Sequence, residues 1–156
     1  MKTIITTVAL VLAMGTGFAQ SKVKEANVPK AVLDAFKAGF KGAKADKWEK
    51  EKDGNYEAEF KQGGVETSAS YSPEGKLMDT EVEMKTADLP KGVSEYVSKN
   101  YAGYKISEAA KITDASGKVS YEAEVSKGKE EMDLIFDSNG GFVKKIVEQE
   151  DEKDKD

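Results

Sequence analysis

The chain has 156 residues, of which 24 are basic and 29 are acidic, and it contains no Cys and no His. Every basic residue is Lys. Ordinary zinc, copper and haem sites use Cys or His, and many activated nucleophiles are paired with His, so we expect no metal, no cofactor and no enzymatic activity. The net charge of −5 argues against nucleic acid as a partner, because phosphate binding requires a basic surface.

The N-terminus has the three parts of a secretory signal. Lys2 supplies a positive charge, residues 4–13 form a short apolar run, and Gly17 and Ala19 occupy the −3 and −1 positions of a cleavage site. We therefore predict a signal peptide at residues 1–19 and a periplasmic or secreted protein after cleavage near Ala19–Gln20. No later segment is apolar enough to span a bilayer, so no membrane insertion is expected after cleavage.

The rest of the chain contains one pattern twice. Residues 28–32 (VPKAV) match residues 89–93 (LPKGV), and residues 56–60 (YEAEF) match residues 121–125 (YEAEV). Such ordered matches indicate a tandem duplication. The predicted domains are a linker at 20–26, a first repeat at 27–86, a second repeat at 87–149 and a disordered, charged tail at 150–156.

Each repeat begins with a predicted helix. In the first repeat Asn27 is the predicted N-cap and Pro29 lies in the first turn, and in the second repeat Asp88 and Pro90 have these roles. Apolar residues then recur at helical spacing, and glycines follow.

Four predicted strands follow each helix. They occupy residues 44–52, 55–61, 65–72 and 76–84 in the first repeat, and residues 105–113, 119–126, 130–137 and 142–149 in the second. Short loops join antiparallel neighbours, and a unit of about 60 residues is marginal alone, so the repeats should share one sheet. The predicted fold class is α+β, with tandem αββββ repeats, an antiparallel sheet of about eight strands, and helices packed on one face.

Alternation along the strands assigns two faces to this sheet. Apolar residues, including Tyr56, Phe60, Leu134 and Val143, point to the face that the helices cover. The candidate binding residues of the opposite face are Glu57, Glu59, Glu66, Asp79, Glu81, Glu122, Glu124, Asp133 and Ile135. This face is either an acidic surface that recognises a basic protein or peptide, or a solvated face, which is normal in antiparallel sheets.

Trp48 is the only tryptophan and the remaining candidate binding residue. An exposed Trp can anchor a protein partner, whereas a lone Trp on a strand more often belongs to the core. Residues 137–140 (DSNG) resemble the opening of a calcium loop, but position 146 is Ile where that loop needs Glu. A hairpin turn is therefore predicted at 137–140.

Together these motifs resemble those of a known family. The residues that the resemblance rests on are Lys47-Trp48-Glu49-Lys50, Asp53-Gly54, Tyr56-Glu57-Ala58-Glu59-Phe60 and Ser72-Pro73-Glu74-Gly75-Lys76. The pattern resembles the PepSY-like family, also described as beta-lactamase-inhibitor-like, which is common in exported proteins of Bacteroidetes. The second repeat departs from the pattern, because Ala109 stands near the place of Trp48.

The resemblance implies an open sheet face, which in the inhibitor proteins binds another protein. It also implies a link to PepSY domains, which are proposed to restrain or chaperone peptidases. We therefore expect a non-enzymatic, extracytoplasmic protein-binding module, with inhibition or chaperoning of an exported enzyme as one form of that activity. The expected partner is another exported protein or peptide, and the oligomeric state is left open. The alternative is a periplasmic protein that binds a small ligand or a cation.

Overall fold

The computed structural model describes residues 21–146, so the predicted signal peptide and charged tail lie outside the described residues. The two α-helices of this range are α1 (Lys30–Gly39) and α2 (Lys91–Asn100). The strands are β1 (Ser21–Lys22), β2 (Ala45–Lys50), β3 (Tyr56–Gln62), β4 (Val65–Tyr71), β5 (Leu77–Glu83), β6 (Lys105–Asp114), β7 (Val119–Lys127), β8 (Glu130–Asp137) and β9 (Phe142–Ile146). No helix within residues 21–146 is both long and apolar enough to cross a bilayer.

All nine described strands form one antiparallel sheet in which the spatial order is the chain order, β1 to β9. The α+β class and the repeated helix-then-four-strands pattern are confirmed, with α1 followed by β2–β5 and α2 by β6–β9. The additional strand is β1, which pairs with β2 through Ser21 and Lys22 and lies in the segment predicted to be a linker. Five residue pairs between β5 and β6, from Asp79↔Asp114 to Glu83↔Ala110, join the two repeats into one continuous sheet.

Both helices begin directly after a proline. Pro29 and Pro90 occupy the N-cap positions, and neither helix has a side-chain cap hydrogen bond. The predicted caps Asn27 and Asp88 are wrong, because each residue ends a short 3-10 turn before the proline. Proline fixes φ near the helical value and has no N–H to satisfy, so it can start a helix without a capping side chain.

The core consists of two clusters on one face of the sheet, one beneath each helix. Their buried apolar residues are Val28, Val32, Phe36, Trp48, Tyr56, Ala58, Phe60, Ala69 and Tyr71 under α1, and Val93, Val97, Ala123, Val125, Leu134 and Phe136 under α2. The prediction that both helices cover the same face is therefore confirmed.

Three residues that alternation predicts to face the helices, Val65, Val82 and Val143, are exposed and belong to neither cluster. A bulge at Ile135/Phe136 pairs Phe136 with Phe142 and shifts the phase of β9. Phe142 consequently stacks on Tyr96, with ring centroids 4.5 Å apart, while Val143 is 57% exposed. Simple alternation missed the bulge and so directed Val143, instead of the partly exposed Phe142, towards the helix-covered face.

Candidate binding face

The face of the sheet opposite α1 and α2, called the open face here, contains all the predicted binding residues except Trp48. Side chains directly opposite each other on paired strands share a face. The relevant pairs are Glu49↔Glu57, Glu57↔Ser70, Ser70↔Asp79, Glu59↔Ser68, Ser68↔Glu81, Lys61↔Glu66, Glu122↔Ile135 and Glu124↔Asp133. The pair Glu81↔Ile112 links the β1–β5 half of this face to β6.

Trp48 lies on the other face. It pairs with Ala58, whose side chain belongs to the core under α1, and Trp48 itself is only 4% exposed. Its ring meets that of Phe36 edge-on, with centroids 5.4 Å apart and planes at 74°. The hypothesis of an exposed Trp48 anchor is therefore wrong, and the core interpretation is confirmed. Its neighbours Lys47 and Glu49 point to the open face instead, as alternation requires.

Much of the open face is buried although neither helix core cluster includes its residues. Glu57, Glu122 and Glu81 are 0%, 3% and 4% exposed. The buried carboxylates of this face are Glu49, Glu51, Glu57, Asp79, Glu81, Glu122 and Asp133. Towards its margins Glu66, Glu59 and Glu124 are half-buried and Glu131 is exposed. The interpretation of a solvated face therefore fails for its centre, because burying carboxylates raises the free energy of their ionised form.

At one side of the open face, a lysine neutralises part of the acidic charge. The ammonium nitrogen of Lys47 lies 2.9 Å from a carboxylate oxygen of Glu49 and 3.1 Å from one of Glu59. Burial raises the pKa of Glu59, and the contact with Lys47 opposes that effect. Glu49, Glu57 and Glu59 each place one oxygen within 4.8 Å of the others. This part of the sheet thus gathers carboxylates around a cation that the chain itself provides.

The centre of the open face contains Glu81 and Glu122. Burial, followed by the charge of Glu57, raises the pKa of Glu81 well above its ordinary value. Burial and then the charge of Glu81 do the same to Glu122. Within residues 21–146, neither carboxylate oxygen of Glu81 has a hydrogen-bond partner, nor has Oε2 of Glu122. Asp133 adds negative charge beside both.

A third acidic group lies near one end of the strands β2 to β5 and includes Glu51, just after β2, and Asp79 of β5. The Ser70 hydroxyl donates a hydrogen bond to Glu51 Oε1 over 3.3 Å. Burial and the neighbouring Asp53 and Asp79 raise the pKa of Glu51 to about 7. Burial likewise raises the pKa of Asp79 to about 6. These groups are therefore partly protonated near neutral pH.

The open face also has an apolar part. Ile112 and Ile135 are buried there and pack with Ile146. Ile135 was predicted as a binding residue, whereas Ile112, Glu49 and Glu51 were not. Alternation outward from Trp48 would have placed Glu49 and Glu51 on this face once Trp48 was assigned to the core. Assigning Ile112 to the open face required the pairing register between β5 and β6, which the sequence does not provide.

The turn at residues 137–140 is a hairpin turn, as predicted. A carboxylate oxygen of Asp137 accepts hydrogen bonds from the backbone N–H groups of Asn139 and Gly141, at 2.8 and 2.9 Å. Gly140 has φ of 82°, a left-handed conformation that glycine adopts without strain. The Asp137 carboxylate is thus used by the backbone of its own turn.

Three solved structures have a similar fold. A "putative periplasmic" protein from Bacteroides eggerthii superposes with a TM-score of 0.67 at 15% identity, covering 77% of this chain and 88% of that one. A DUF2874 family protein from Bacteroides ovatus gives 0.64 at 20% identity, covering 76% and 86%. A BLIP-like protein from Bacteroides fragilis gives 0.60 at 23% identity, covering 79% and 90%. At these identities the likeness concerns the fold.

The sequence itself provides the assignment to a family. No curated protein matches the chain significantly. A family model described as "Putative beta-lactamase-inhibitor-like, PepSY-like" matches residues 16–79 and, a second time, residues 54–144. The two matches overlap, so the boundary between the repeats stays a prediction, but together they span residues 16–144. Two matches in tandem agree with the duplicated pattern of α1 with β2–β5 and α2 with β6–β9. The chain belongs to the PepSY-like, beta-lactamase-inhibitor-like family.

Proposed function

We propose that this protein is a non-catalytic, extracytoplasmic binding module that contacts another exported protein or peptide through the margins of its open face. The observation that supports this most directly is the asymmetry of the sheet. One face is covered by α1 and α2, while the margins of the other present partly exposed carboxylates and Ile146 around buried carboxylates and the buried Ile112 and Ile135. Mixed apolar and charged surfaces of this kind are typical of protein interfaces.

Charge indicates the chemistry of the partner. Glu59, Glu66 and Glu124 are accessible in part and lie around the buried central carboxylates. Partly exposed acidic residues suit a basic polypeptide segment, since complementary charge accelerates and orients association. Inhibition or chaperoning of an exported enzyme is one form that such binding can take.

Two further considerations support the cellular setting and the absence of catalysis. The signal-like N-terminus agrees with the description of the B. eggerthii structural neighbour as periplasmic. The chain has neither Cys nor His, and none of its serines lies in the sequence context of a known serine nucleophile. The chain does contain a broad acidic sheet face, and such a face suits a binding role.

Site-specific photo-crosslinking tests the proposal without disturbing the buried carboxylates. A photoreactive phenylalanine analogue replaces Glu124 on the open face or, as matched control, exposed Lys111 of β6. Lys111 pairs with Tyr121, which packs with the core under α2, so it points to the helix-covered face. In cells of the native host, we expect a discrete protein adduct from position 124 and none from position 111. Adducts equal at both positions, or no adduct at 124, would overturn the proposal.

A further inference from the structure

The carboxylate of Glu81 is the most unusual polar group of the open face. Both its oxygens are buried and lack a hydrogen-bond partner within residues 21–146. Leaving a buried polar group without a hydrogen-bond partner destabilises a fold, and an isolated buried charge does so more strongly. Folded proteins rarely tolerate this, and each instance in a native structure calls for a specific explanation.

The groups around Glu81 do not relieve this cost. The charges that act on it come from Glu57, Asp133 and Asp79, and all of them are negative. Its partners across the strands are Ser68 and Ile112. Glu122, whose Oε2 is also buried without a hydrogen-bond partner in the described range, adds another acid. Protonation would remove one charge and add one O–H donor, which is not enough to satisfy all three buried oxygens of Glu81 and Glu122.

Elsewhere on the same face, closely spaced carboxylates are neutralised by a lysine. Beside Glu57, the carboxylates of Glu49 and Glu59 are held around the ammonium of Lys47. No such ammonium contact is found within residues 21–146 for Glu81 or Glu122. A cation from solution would provide at the centre of the face what Lys47 provides at its side.

We propose that Glu81 and Glu122, with Glu57 and Asp133 beside them, form a binding site for a divalent cation, with Ca²⁺ favoured over Mg²⁺. All the donors are oxygens, which suits a hard cation, and four carboxylates supply enough charge for one. A small ion fits the occluded position of these oxygens better than a partner's side chain does, because both oxygens of Glu81 are fully buried.

The preference for Ca²⁺ follows from the spacing of the carboxylates on the open face. Within the described range, the three carboxylates with oxygens mutually within 4.8 Å are Glu49, Glu57 and Glu59. Glu81 and Glu122 do not belong to such a group, so binding of an ion by both requires side chains of the open face to move closer together. A site that closes around its ion suits Ca²⁺, which accepts six to eight oxygens in flexible geometry, whereas Mg²⁺ requires a near-ideal octahedron.

Calorimetric titration and thermal melting of the full chain with CaCl₂ and MgCl₂ test the site. The variants are Glu81→Gln and Glu122→Gln, and the matched control is Glu131→Gln, which changes an exposed acid on the same face. We expect Ca²⁺ to raise the melting temperature of the wild type and of Glu131→Gln. Both central variants should bind Ca²⁺ at least about tenfold more weakly, and Mg²⁺ should bind the wild type at least about tenfold more weakly than Ca²⁺ does.

Without added metal, the two central variants should melt no lower than the wild type, because Gln retains the shape and removes the repulsion. A second measurement needs no variant. Because a bound cation favours the ionised carboxylates, the wild type should release protons on binding Ca²⁺, so the calorimetric heat should change with the ionisation enthalpy of the buffer. Absence of Ca²⁺ binding up to about 10 mM, roughly ten times the dissociation constant of the weakest protein calcium sites, would overturn the proposal. Unchanged affinity in both central variants would do so as well, whereas equal Mg²⁺ and Ca²⁺ affinities would refute the stated selectivity.

Discussion

A Cβ atom placed on Gly75 would lie 2.5 Å from the carbonyl oxygen of Ala31, so the turn before β5 packs directly against the first turn of α1. The second repeat has the same contact. There a Cβ atom on Gly92 would lie 2.8 Å from the carbonyl oxygen of Gly140. Gly140 matches Gly75, and Gly92 matches Ala31, in the duplicated sequence. The close approach of hairpin turn and helix is therefore a shared feature of both repeats.

Gly75→Ala should destabilise the fold by about 2–4 kcal/mol. The new methyl group would clash with backbone, and Gly75 also has φ of +83°, which disfavours any side chain. Gly54→Ala is the matched control, because Gly54 has φ of +93° but nothing within 4 Å of its Cβ position. It should cost only about 1 kcal/mol. Urea denaturation measures both, and equal costs would show that the contact with Ala31 is unimportant.

Trp48 should report a buried environment in the isolated protein. Its emission should be blue-shifted and poorly quenched by iodide, since the ring packs against Phe36. Trp48→Ala should cost about 3–5 kcal/mol of unfolding free energy, as for other buried aromatics. A solvent-exposed emission spectrum with efficient quenching would contradict the placement of Trp48 beneath α1.

Lys47→Met should destabilise the protein by about 2–3 kcal/mol at neutral pH, because it leaves two carboxylates crowded without their cation. The matched control is Lys61→Met. Lys61 pairs with Glu66 at 2.5 Å, but both side chains are about half exposed. This control should cost much less than Lys47→Met, because exposed ion pairs contribute little to stability. Denaturation at neutral pH compares the variants, and similar losses would contradict a special role for the Lys47 ion pairs.

Stability should fall as the pH rises towards 7. Glu51 has a folded pKa of about 7 against an ordinary value of 4.5, so between these values the folded state binds the proton more tightly. The free energy of unfolding therefore decreases over this range, and Asp79 contributes with the same sign from 3.8 to about 6. Glu51→Gln should stabilise the protein by about 2 kcal/mol above pH 7 and have little effect below pH 4.

Glu74→Gln is the control for this pH dependence. Glu74 is an exposed turn residue whose pKa is lowered by a hydrogen bond with Ser72, so its neutralisation should give no gain at high pH. Urea denaturation from pH 4 to 8 measures the three proteins. A wild-type stability that rises over this interval would contradict the raised pKa of Glu51.

The sequence predicted most elements because their signals are local. Alternation in Tyr56–Phe60 and Tyr121–Val125 defines strands, and Gly-rich turns define the hairpins between them. The two-residue strand β1 has no such signal, since two residues show no periodicity. The bulge before Phe142 was equally invisible, because it changes register without changing composition.

The sequence predicted which residues lie on the open face, but not that the carboxylates at its centre are buried. Polar residues at alternate positions correctly placed Glu57, Glu81 and Glu122 together. Each of them lies between two neighbouring strands, and one neighbour of Glu81 is Ile112 of the other repeat. A pattern read along one strand contains no information about what lies across it, so a buried acidic cluster and a solvated surface have the same sequence signature.

The strand order has a consequence for how the chain reaches its native state. Because neighbours in the sheet are also neighbours in the chain, most pairings close loops of only a few residues. Low contact order favours rapid folding, so this sheet should form faster than a β-sandwich of similar length. Each repeat can assemble its own helix and hairpins first. The pairing of β5 with β6, which spans α2, would then complete the molecule as a late docking step.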